Sequence, residues 1–96
     1  MRIVKWLFVF GIILFAAKTW SQDQHLIDSL YTSISKTQSD SLKVDLLNQI
    51  AYNYVLTTPK KAKEPAFKAL KLARASHYRI GEYNALLRIG VMHYYL

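Results

Sequence analysis

The chain of 96 residues contains no cysteine, which excludes disulfide cross-links, cysteine-ligated zinc, thiol catalysis and a lipid anchor on an N-terminal cysteine. Its three glycines, Gly11, Gly81 and Gly90, stand too far apart to wrap a phosphate in a glycine-rich loop. Acidic residues are scarce, six against thirteen basic ones for a net charge of +7, so acid/base pairs are scarce too. Asp40 and Asp45 do not share a helix face, and Glu64 and Glu82 fall on different predicted helices. His25, His77 and His93 have no partner at ligand spacing, and the serines lack the strand-turn-helix setting of an activated nucleophile. The residues point to a protein that is not an enzyme and uses no metal or cofactor.

What is present first is an apolar N-terminus. Arg2 and Lys5 precede an uncharged run from Trp6 to Ala17, about a dozen residues, which is the length of a secretory core and short of the ~20 needed to cross a bilayer. Residues 1–21 are therefore expected to be a signal peptide, cut after Thr19-Trp20-Ser21 to leave Gln22 first, or else an uncleaved membrane anchor. Either outcome is expected to export the protein, which in a cell with two membranes means the periplasm or the inner membrane facing the periplasm. Cleavage removes Arg2, Lys5 and Lys18 and leaves ten basic residues against six acidic ones, a net +4 that together with export argues against a nucleic-acid partner.

The remainder carries the period of helices. Residues 22–38 form a leading helix and linker, with Leu26, Ile27, Leu30, Tyr31 and Ile34 at three- and four-residue steps. Residues 39–78 form a helical hairpin. Its first helix runs from about Ser41 to Leu56, capped by Ser39 or Asp40, with Leu47, Ile50, Ala51 and Tyr54 on one face. Thr57-Thr58-Pro59 ends it, since the residue before a proline avoids helical geometry and proline suits the first position of a new helix; Thr58 is then the cap of the second helix. That helix, about Pro59 to Ser76, aligns Ala62, Ala66, Ala69 and Ala73 in a stripe along which another helix approaches closely. Pro65 predicts either a kink near residues 61–65 or a frayed first turn and a half there, or else a late start. Residues 79–96 begin another helix, in which Leu86, Ile89, Gly90 and His93 follow Leu47, Ile50, Ala51 and Tyr54 at a constant offset of 39, the mark of a stacked helical repeat.

These residues resemble the tetratricopeptide repeat family. Its first-helix pattern appears as Leu47-x-x-Ile50-Ala51-x-x-Tyr54 and again as Leu86-x-x-Ile89-Gly90-x-x-His93, and its second-helix pattern of small residues as Ala62, Ala66 and Ala69 after Pro59. The offset is longer than the family's usual repeat of roughly 34 residues, and Pro65 and His93 depart from its pattern. The order of parts is similar to the exported N-terminal repeat regions of Bacteroidetes sensor histidine kinases and related regulators. The resemblance implies an all-α fold: antiparallel hairpins of a right-handed α-solenoid, about one and a half repeats, after the signal segment.

It also implies a role, that of a protein–protein interaction module forming the sensory or scaffold part of a signalling protein. Partners would be held on the concave side lined by the first helices, presenting Asp45, Asn48 and Tyr52 with Asn84, Leu87 and Val91 as equivalents. The partner is a protein or peptide, and self-association through the unpaired last helix is a further expectation. Two other readings stay open. One is the remnant of a histidine kinase or transcriptional regulator whose output domain is missing, because the chain stops inside a helix that nothing buries. The other is a small membrane-surface protein using its basic helix. The run Lys60, Lys61, Lys63, Lys68, Lys71, Arg74 and Arg79 reads first as a solvated face, with attraction to anionic lipid or an acidic partner as its functional alternative.

Overall fold

A computed structural model describes residues 24–96, and every regular element among them is a helix. Helix α1 covers residues 24–36, α2 Asp40–Thr57, α3 Pro59–Ala75 and α4 Arg79–Tyr95. The expected signal peptide and its cleavage point lie outside the described residues.

Each boundary has a local cause. Ser39, in extended geometry, accepts the Leu42 N–H on its hydroxyl at 3.3 Å and so caps α2. Thr58 is the one non-helical residue between α2 and α3, held out of the helical region by Pro59 while its N–H bonds the Tyr54 carbonyl at 2.6 Å. It occupies the cap position of α3, but its hydroxyl caps nothing. Of the outcomes expected from Pro65, the late start does not occur, because α3 begins at Pro59 and runs through Pro65. The ring of Pro65 is buried, and that apolar contact offsets part of the roughly 3 kcal/mol that an internal proline costs.

The exit from α3 is tighter. The Tyr78 N–H bonds the Ala73 carbonyl at 2.8 Å and the His77 N–H bonds the Arg74 carbonyl at 3.3 Å, a Schellman closure that places His77 at φ 56°. Glycine normally fills that left-handed position, since a Cβ there crowds the backbone. Replacing His77 by glycine is expected to raise stability by about 1 kcal/mol, read as a higher urea midpoint of the helical signal.

Helix α2 is the axis of the packing. On one side Ile27 and Leu30 of α1 cluster with Leu46 and Ile50. On another, the stripe Ala62, Ala66, Ala69 and Ala73 of α3 is fully buried, and Ala69, Leu70 and Ala73 share a cluster with Val44 and Leu47. Helix α4 lies against both, its Ala85 in that same cluster and its Met92 against Val55 and Ala62. Leu26 and Tyr31, expected on the inner face of α1, are exposed, and only Ile27, Leu30 and Ile34 turn inward.

The two segments related by the offset of 39 share a pattern and differ in burial. Leu47, Ile50 and Ala51 are buried and Tyr54 half-buried, whereas Leu86, Gly90 and His93 are exposed and only Ile89 is partly covered. Helices α1 and α3 cover the face on α2, and no helix among the described residues covers its counterpart on α4.

Candidate partner-binding surface

The six residues expected on the partner face divide into two groups. Asp45 and Asn48 are engaged inside the seam between α2 and α4. The Tyr78 hydroxyl donates to Asp45 Oδ1 at 2.8 Å, and Asn48, only 4% exposed, donates from Nδ2 to the Gly81 carbonyl at 3.1 Å. Glycine at position 81 permits that approach. A Cβ there would overlap Val44 Cγ1 and stand 2.6 Å from the Tyr78 ring. The seam thus uses one small residue to bring a helix backbone onto a buried amide; Asn48 Nδ2 and Asp45 Oδ1 position α4, while Asn48 Oδ1 is buried without a partner among the described residues.

The Tyr78–Asp45 bond leaves a titration signature. Hydrogen bonding to the carboxylate holds the phenol above its ordinary value of 10.0, because ionisation would remove the donated proton; burial and then the nearby Asp45 charge add to it. A phenol whose folded pKa is raised contributes stability that is complete below its unfolded value and is lost as pH climbs through the folded one. Tyr78→Phe is therefore expected to lower the melting temperature by a few degrees at neutral pH and by less above pH 10. A thermal melt series across alkaline pH checks the convergence of the two proteins.

Tyr52, Asn84, Leu87 and Val91 behave differently. Tyr52 and Leu87 are exposed at 47% and 45%, Asn84 is half-buried, and Val91 is half-buried against the Val55, Ala62 and Met92 cluster. The sequence reading passed over Arg88, whose guanidinium carbon lies 4.7 Å from the centre of the Tyr52 ring in cation–π geometry. Arg88 forms no ion pair among the described residues, and its Nε is buried without a partner. Leu56, one turn beyond Tyr52 and 63% exposed, extends the patch. The result is an aromatic and aliphatic surface across α2 and α4 with one guanidinium in it.

A second surface lies between α1 and α3. This open groove of about 820 Å³ is lined by Tyr31, Tyr54, Pro65 and Phe67 and by Lys60, Lys61, Lys63, Glu64, Lys68 and Lys71. Glu64 and Lys68 pair at 3.0 Å across one helical turn, both well exposed. Burial first, then the nearby Tyr54 and Glu64, raise the Tyr31 phenol above its ordinary value, while Lys68 pulls it the other way. Tyr31 of α1 and the Glu64–Lys68 pair of α3 line the same groove.

Among the described residues no three histidine or carboxylate side chains come together as a metal cluster. His25 sits 3.5 Å from Ser29 on the exposed side of α1, and Arg74 reaches Glu82 at 3.0 Å to tie α3 to α4. No helix of the described residues is long and apolar enough to cross a membrane. Comparison with known proteins gives no matching family model, no matching curated protein and no matching solved structure.

Proposed function

We propose that the chain is a non-catalytic protein-interaction module of tetratricopeptide type, a right-handed helical stack of about one and a half repeats that is exported and serves as the sensory or scaffold part of a signalling protein. The observation that carries this reading is the burial of the whole alanine stripe of α3, Ala62, Ala66, Ala69 and Ala73, with α4 packed against both α2 and α3. A hairpin with so narrow a spine stacks on its neighbour through helix faces, and such stacks act by presenting a continuous side to a partner. The exposed Tyr52, Leu87 and Leu56, with the half-buried Arg88 against Tyr52, supply the rigid aromatic and arginine contacts that anchor peptides and proteins. The uncovered side of α4, with Leu86, Gly90 and His93 repeating the α2 pattern, fits a further helix of the α3 kind, from the same or another chain.

The test is selection of peptides from a displayed random library on the immobilised chain. Tyr52→Ala and Leu87→Ala are each expected to weaken a selected peptide at least about tenfold without changing the helical signal. Failure to enrich any peptide, or enrichment indifferent to both changes, would remove the α2/α4 surface as the site.

A further inference from the structure

Three of the lysines of α3 stand where helix stability disfavours them. Lys60, Lys61 and Lys63 lie in or beside the first turn, next to the positive end of the helix dipole, and no acidic residue occupies that turn. Five of the ten cationic side chains in residues 24–96 gather on the α1/α3 groove. Its one acid, Glu64, is already paired with Lys68, so Lys60, Lys61, Lys63 and Lys71 have no carboxylate partner among the described residues. Beside them Tyr31 and Phe67 are exposed at 41% and 43%, Tyr54 is half-buried and Pro65 buried.

We propose that this groove is a docking surface separate from the α2/α4 face, and that its occupant is an acidic peptide segment carrying a large apolar side chain. The charge fixes the sign of the ligand, and the helix dipole adds to it at the α3 start. The aromatic lining fixes the second requirement, because a ligand of charge alone would leave Tyr31 and Phe67 in water. The recessed position of Tyr54 and Pro65 favours a peptide over a bilayer, since a side chain can descend between two helices and a flat lipid surface cannot. This inference is independent of the reading of the α2/α4 face.

The experiment follows fluorescence anisotropy of the full chain with a labelled peptide of about three helical turns, glutamates on one face and leucine and phenylalanine on the other. An all-glutamate peptide and vesicles of phosphatidylglycerol in phosphatidylcholine serve as the competing probes. The mixed peptide is expected to bind saturably, at least about tenfold more weakly to the Lys60→Glu, Lys63→Glu double variant and about threefold more weakly to Phe67→Ala. The double variant should melt at or above the parent temperature, because it puts carboxylates near the α3 N-terminus; its loss of binding is then not a loss of fold. Equal binding of the all-glutamate peptide overturns the proposal, as does binding to vesicles without binding to the peptide. Peptide binding abolished by Tyr52→Ala and untouched by the lysine reversals overturns it as well, by placing the ligand on the other face.

Discussion

Ala69→Leu is expected to destabilise the fold by about 3 kcal/mol or more, out of the roughly 4–10 kcal/mol that holds a chain of this size. Ala69 is fully buried in the cluster that joins α2, α3 and α4 through Val44, Leu47, Leu70, Ala73 and Ala85. Three further carbons have nowhere to go without parting α3 from α2, because interiors are packed to the density of a crystal and the alanine stripe sets how near the two axes lie. The same residue introduced at Lys71, two positions on and exposed, should change stability by no more than about 0.5 kcal/mol. Urea titration of the helical signal separates the two variants. A Lys71→Leu protein as unstable as Ala69→Leu would mean that the stripe is not the contact face.

The hairpin was legible in the sequence because its determinants are local. The alanine spacing selects the inner face of α3, Pro59 fixes the break, and Ser39 supplies the cap, each acting within a few residues of itself. The surface chemistry of α2 was not legible in the same way. Asp45, Asn48 and Tyr52 stand one turn apart and look alike as polar positions on a helix, yet two of them are engaged in the seam and one is half exposed. What separates them is the crossing of α4, a contact between residues more than thirty positions apart that no local pattern encodes. Arg88 was missed for the same reason, since its placement over Tyr52 follows from that crossing. The lysine groove was visible as composition, and only the packing of α1 on α2 shows that Tyr31 lines the same groove as those lysines.

The two glycines of α4 are expected to respond in opposite directions to the same change. The offset of 39 singles out Gly90 as the small residue of a helix contact, as Ala51 is on α2, but the structure gives that role to Gly81. A Cβ at Gly90 meets nothing within 4 Å, so Gly90→Ala exchanges a flexible residue for the best helix former and should stabilise by about 0.5–1 kcal/mol. At Gly81 the same propensity gain of about 1 kcal/mol is opposed by overlap with Val44, whose branched side chain is wholly buried, and with the Tyr78 ring. Overpacking of this kind costs about 1–3 kcal/mol, and displacing α4 also pulls the Gly81 carbonyl from Asn48, leaving a buried amide without its partner. Gly81→Ala should therefore destabilise, with a gap between the two variants of roughly 2 kcal/mol or more. The sequence carried one clue to this, the pair Gly81 and Ala85 one turn apart, a small-residue step like that of Ala62 and Ala66 on α3. Melting the two variants beside the parent chain decides whether α4 lies on α2 through Gly81, and two shifts of the same sign would remove the seam that the α2/α4 surface depends on.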